Sequence, residues 1–100
     1  METSHMIKVS SIVKTCGSCP AQWEGVTSDG KAVYVRYRWG FLSVTVSDML
    51  EDAIRGTHPK DEVYGRQLGH ALDGVLEYEV LKTKTVGLIA WPEEEEIRCD

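Results

Sequence analysis

CPAQWEGVTSDGKAVYVRYRWGFLSVTVS, Cys19 to Ser47, is the stretch whose reading decides the fold. Side chains alternate faces along a strand, so a register slip of one residue would move every side chain to the wrong side. With Trp39 and Gly40 as the two loop residues of a hairpin, Tyr37 meets Leu42, Val35 meets Val44 and Val33 meets Val46. On the other face Arg38, Arg36 and Tyr34 meet Phe41, Ser43 and Thr45. The first face is wholly apolar. Apolar cross-strand pairs contribute roughly 0.2–1 kcal/mol each, and the neighbouring registers align none of them. Gly40 supplies the positive φ that a tight turn requires.

The turn before it, Ser28-Asp29-Gly30-Lys31, carries the Asp-Gly pair that suits a two-residue type I′ loop. That register sets Val26 opposite Val33 but brings Glu24 opposite Val35, a carboxylate on the apolar face. A bulge at Gly25 would turn Glu24 outward and lay Trp23 against Val35, since an isolated glycine in a strand marks a bulge or a close backbone approach. The expectation is a three-stranded antiparallel meander, apolar on one side.

Around this centre the chain changes character. Ile7 to Val13 reads as a first strand with mixed alternation: Ile7, Val9 and Val13 face one way and Ile12 the other. After Ser47 the apolar period lengthens. Asp48 is an N-cap candidate with Glu51 following, and Met49, Leu50, Ala53 and Ile54 form a stripe that Gly56 closes, which gives a helix of about two turns. Glu62 to Leu72 is ambiguous between helix and strand because Gly65 and Gly69 weaken both. A second helix begins near Leu76, with Glu77 and Glu79 in its first turn and Lys82 and Lys84 towards its end, the orientation its dipole favours. Leu88 to Trp91 reads as a last extended segment. The fold class that follows is α+β: an antiparallel three- to four-stranded meander packed on one face by two short helices. Residues 6–92 would form a single domain and residues 93–100 an acidic flexible tail, because the glutamates from Glu93 to Glu96 repel one another. Residues 1–5 read as a vector-derived remnant before Met6.

A chain of 100 residues with 42% hydrophobic and 27% charged residues suits one ordinary globular domain rather than a disordered segment. The formal net charge of −5 gives no footprint for sequence-independent nucleic-acid binding, which rests on clustered Lys and Arg, and favours a basic partner instead. No apolar run approaches the roughly 20 residues that cross a bilayer, and no secretory signal is read, so no membrane partner is expected. With 3 cysteines a disulfide scaffold is not expected, and a reducing cytoplasm is the default compartment.

Candidate chemistry is sparse. Cys16-Gly-Ser-Cys19 has CxxC spacing, and a zinc site would have to recruit His70, His58 or Cys99, none of which is paired at finger-like spacing. A redox dithiol would want a helix after the first cysteine, where the glycines argue against one. The plain reading is two structural loop cysteines. No nucleophile elbow, HExxH or phosphate loop is present, so no enzyme and no cofactor are expected. Tyr34, Arg36, Arg38 and Phe41 share one sheet face. Such an aromatic and arginine surface is what protein interfaces favour, and what RNA-binding sheets use to stack bases.

The segments Cys19-Pro-Ala-Gln-Trp-Glu-Gly, Thr27-Ser-Asp-Gly and Val33-Tyr-Val-Arg-Tyr-Arg-Trp-Gly resemble a group of small proteins of bacteria, particularly actinobacteria, and their phages. The resemblance runs over Ile7 to Val46, and more loosely over Glu62-Val-Tyr-Gly and Asp73-Gly-Val-Leu. It carries no established activity. It implies that Cys19 rather than Cys16 belongs to the shared pattern, which weakens the zinc reading, and it suggests a phage or mobile-element accessory role. Three functions stand as expectations. The first is a non-catalytic cytoplasmic protein that binds a host protein, in the manner of an acidic inhibitor, through Tyr34, Arg36, Arg38 and Phe41. The second is a zinc-stabilised module using Cys16, Cys19, His70 and Cys99. The third is an RNA-binding sheet face using Tyr34, Arg36 and Arg38.

Overall fold

A computed structural model describes residues 6–16, 21–55, 59–69 and 76–98. Five strands follow one another as an antiparallel meander: β1 (Ile7–Cys16), β2 (Ala21–Thr27), β3 (Ala32–Arg38), β4 (Phe41–Ser47) and β5 (Glu62–Gln67). Helix α1 (Leu50–Arg55) and a 3-10 turn (Pro59–Asp61) connect β4 to β5, and α2 (Tyr78–Lys84) precedes two short strands, β6 (Ile89–Ala90) and β7 (Glu96–Ile97). Both short strands pair with β1 in parallel, so the sheet is mixed and runs β5-β4-β3-β2-β1-β6, with β7 also on β1. The class is α+β as expected, but the sheet is wider than three or four strands and is not wholly antiparallel.

The central hairpin has the register read from the sequence, with Val33 opposite Val46, Val35 opposite Val44 and Tyr37 opposite Leu42. Trp39 and Gly40 have φ of 58° and 74°, the paired positive angles of a type I′ turn. Trp23 lies against Val35 and Glu24 is turned to the other face beside Tyr34. The device that achieves this differs from the expected one. The β2–β3 ladder is unbroken through Gly25, and the extra residue sits in the turn. Thr27 and Lys31 are bonded across it, the Gly30 N–H donates to the Thr27 carbonyl at 3.0 Å, and Gly30 has φ 89°, so a three-residue loop ends in a glycine bulge. Gly25 serves the neighbouring pair instead. A Cβ there would overlap the Ser11 carbonyl oxygen, so its bare backbone lets β1 approach.

The mixed alternation of β1 has the same kind of cause. Its pairing to β2 shifts between Val9 and Ser11, so Val9 and Ile12 both reach the core, and Val13 falls on the other face. The core is the apolar sheet face: Trp23, Val33, Val35, Leu42 and Val44 are fully buried there, covered by Leu76, Tyr78 and Leu81 of the α2 region and by Ile89. A seven-residue helix is marginal by itself, and burial of Leu81 and Tyr78 is what holds it.

The two helices do not share a face. α1 lies along β3 and β4, and its one buried residue, Ala53, stands apart from the core cluster. So do Tyr34, Thr45 and Ser47, which are buried on the opposite side of the sheet. α1 therefore covers that second face, and Met49, Leu50 and Ile54 of its expected packing stripe are exposed.

Candidate functional site

α1 is six residues long, so it roofs the second sheet face only part of the way. It lies over the strand that carries Tyr34, which keeps 6% of its surface in contact with solvent, so parity alone does not leave that tyrosine open as the expected contact surface. Beyond the roof the face lies open. There Arg36 pairs with Ser43, which pairs in turn with Gly65, and the next row is Arg38 with Phe41. A small residue beside a glycine leaves a floor with little side chain on it, while Arg36, Arg38 and Phe41 stand around it. Trp39 and Glu62 complete the lining of a concavity of about 410 Å³.

Phe41 and Glu62 lean across Gly65 from two sides. A Cβ on Gly65 would lie 3.1 Å from the Phe41 ring and 2.7 Å from a Glu62 carboxylate oxygen. Trp39 is 57% exposed at the tip of the hairpin, with the Arg38 guanidinium 4.8 Å from the centre of its ring. Phe41, 39% exposed, stands opposite Arg38. Arg36 is partly buried, and its Nε–H has no acceptor among the described residues. A buried donor left so costs about 1–3 kcal/mol.

Among the expected site residues, then, Arg36, Arg38 and Phe41 come together and Tyr34 does not join them. Trp39 and Glu62 were not anticipated. Trp39 read only as a turn residue, although a tryptophan at the first position of a type I′ turn, where Asn, Asp or Gly is favoured, is itself a signal. The zinc candidates Cys19, His58, His70 and Cys99, and the side chain of Cys16, lie outside the described residues. Among the described residues no group of three His, Cys, Asp or Glu is placed to hold a metal ion.

A second surface feature occupies the core side of the sheet at its β1 end. The expected acidic tail does not leave the domain at Pro92. Its residues fold back so that β7 pairs with Val13 and Lys14, and the Arg98 N–H donates to the Lys14 carbonyl at 2.9 Å. The buried Trp23 indole N–H donates to Glu95 at 2.6 Å, the Tyr78 hydroxyl to the Pro92 carbonyl at 2.6 Å, and Lys82 to the Glu93 carbonyl at 3.0 Å. Glu77, Glu79, Glu93, Glu94 and Glu95 line the resulting groove with Lys14, Tyr78 and Ile97. Burial, then the charges of Glu95 and Glu79, push the Tyr78 hydroxyl well above its ordinary pKa, which keeps it a neutral donor.

No family model, curated protein or solved structure matches the chain. The functional reading therefore rests on these residues. Among the described residues no helix is long and apolar enough to cross a membrane.

Proposed function

We propose that the protein is a non-catalytic binding module that engages another protein through the β3–β4 hairpin tip, with Trp39 and Phe41 as anchors and Arg36 and Arg38 beside them. The observation that carries this is Trp39, exposed to 57% at φ 58°. A bulky residue in the left-handed region costs about 1–2 kcal/mol, and an aromatic with most of its surface in water gains less than that from folding, so binding is what supports its presence there. Tryptophan and arginine are also the residues that dominate binding energy when an interface buries them.

The test uses Trp39→Asn, which suits the turn better than tryptophan does. Loss of the Arg38–Trp39 contact, about 0.5 kcal/mol at an exposed site, is offset by relief of the turn, so the melting temperature is expected to equal or exceed the parent's. Side-by-side affinity capture from lysate of the source cells should retain a partner on the parent and lose it on Trp39→Asn. Equal capture by both proteins would overturn the reading.

A second reading is favoured by the groove of Glu77, Glu79, Glu93, Glu94 and Glu95. There an acidic protein occupies a basic surface of a host machine, the accessory role that the resemblance to bacterial and phage proteins suggests. Its mark would be capture that survives Trp39→Asn and disappears when Glu93 and Glu94 become glutamine.

A further inference from the structure

This inference rests on binding at the hairpin tip and gives the partner its chemistry. We propose that the concavity beside Trp39 takes an extended segment of a partner protein in which a carboxylate stands next to an apolar side chain. The chain has 16 Asp and Glu against 11 Lys and Arg, so carboxylates are in excess. Even so, the ion pairs among the described residues use Lys31, Arg55, Lys82 and Arg98, and neither Arg36 nor Arg38 is within pairing distance of a described carboxylate. Glu62, in the same concavity, lies over Gly65 instead. Two guanidiniums around one small floor, one of them with a donor lacking an acceptor, call for a planar anion that can take paired N–H bonds.

Arg36 lines the concavity while its Nε is buried, so for that donor to meet such an anion the guanidinium has to turn towards the opening. The apolar part of the lining is Phe41, which forms one wall, and Trp39 at the rim, with Ser43 and Glu62 beside them. A volume of about 410 Å³ accommodates one acidic and one apolar side chain rather than a folded surface. A single-stranded nucleic acid would offer a base to Trp39 and a phosphate to Arg38. It would also need more cations along its path, and no lysine lines the concavity while Glu62 does. The observations favour the peptide.

The experiment is selection of short random peptides by mRNA display on the immobilised full chain, with depletion on Trp39→Asn, followed by fluorescence anisotropy of the recovered peptides and of labelled oligouridylate and oligothymidylate. Recovered peptides are expected to place Asp or Glu beside Leu, Ile, Phe or Trp, and to weaken as salt is raised. Affinity should fall about tenfold or more with Arg38→Gln, an exposed position where folding is not at stake, because a charged hydrogen bond is lost. It should rise about threefold with Glu62→Gln as a like charge is removed. Peptides without carboxylates, equal binding to Arg38→Gln, tighter binding of the oligonucleotides, or no enrichment would each overturn the proposal. If a cellular partner is still captured in a Trp39-dependent way while any of these holds, binding at the tip stands and its acidic partner falls.

Discussion

At Gly25 the backbones of β1 and β2 approach too closely for a side chain. A methyl group there would overlap the Ser11 carbonyl oxygen and come within 2.8 Å of the Ile12 side chain, and the oxygen belongs to backbone that cannot step aside without breaking the β1–β2 ladder. Gly25→Ala is therefore expected to destabilise the fold by about 3 kcal/mol, read as a lowered urea midpoint. At Gly65 the crowding atoms are the side-chain ends of Glu62 and Phe41, which can move, so Gly65→Ala should cost about 1 kcal/mol or less. Equal losses at the two positions would refute this account. Tyr78 gives a residue-scale prediction with pH. Its hydroxyl holds its proton in the folded chain above the ordinary value of 10.0, where the unfolded chain gives it up. The contribution to stability is complete below pH 10 and is lost as pH rises beyond it. Tyr78→Phe should cost about 1 kcal/mol near neutrality, through the bond to Pro92, and flatten the alkaline decline. An unchanged alkaline slope would count against it.

At the level of elements, what could be read from sequence was whatever depends on period and local turn chemistry. Val33, Val35, Tyr37, Leu42, Val44 and Val46 share a face because a two-residue turn leaves only one register that keeps them together. By the same parity Arg36, Arg38 and Phe41 were legible as neighbours on the other face. What covers a face is not a local property, so Tyr34 read as available although it is buried on the face where α1 lies. The residue pattern of β5 was obscured by Gly65, whose small size leaves room for side chains that cross it, Phe41 from the adjacent strand and Glu62 from β5. α1 shows how a correct stripe can mislead. Met49, Leu50, Ala53 and Ile54 do recur at helical spacing, yet only Ala53 faces inward, 2% exposed against 42% for Ile54. Ala53→Leu should overpack the contact with β3 and β4 and cost about 1–3 kcal/mol, while Ile54→Ser should change stability by no more than about 0.5 kcal/mol. Chemical denaturation of the two variants decides the point, and a larger loss from Ile54→Ser would place the packing face of α1 elsewhere.

At the scale of the whole molecule, the acidic C-terminal run joins the two ends of the chain. Like charges in sequence argue for a solvated tail, but Trp23, fully buried in the core, needs an acceptor for its indole N–H, and Glu95 provides it at 2.6 Å. β7 at the same time pairs with the outer edge of β1, which would otherwise offer unpaired backbone groups to other chains. These two effects can be separated. Glu95→Gln keeps a neutral acceptor and should cost about 1 kcal/mol, whereas Glu95→Ala leaves the indole donor unpaired and should cost about 2 kcal/mol. Removing residues 93–100 takes away both the acceptor and β7. Such a truncated chain should lose more than Glu95→Ala in urea denaturation followed by tryptophan fluorescence, and should also associate as its concentration rises in sedimentation velocity, because the β1 edge is then bare over Val13 and Lys14. A truncated chain that is monomeric and no less stable than Glu95→Ala would show that the glutamate acts alone and that β7 contributes nothing to closing the sheet.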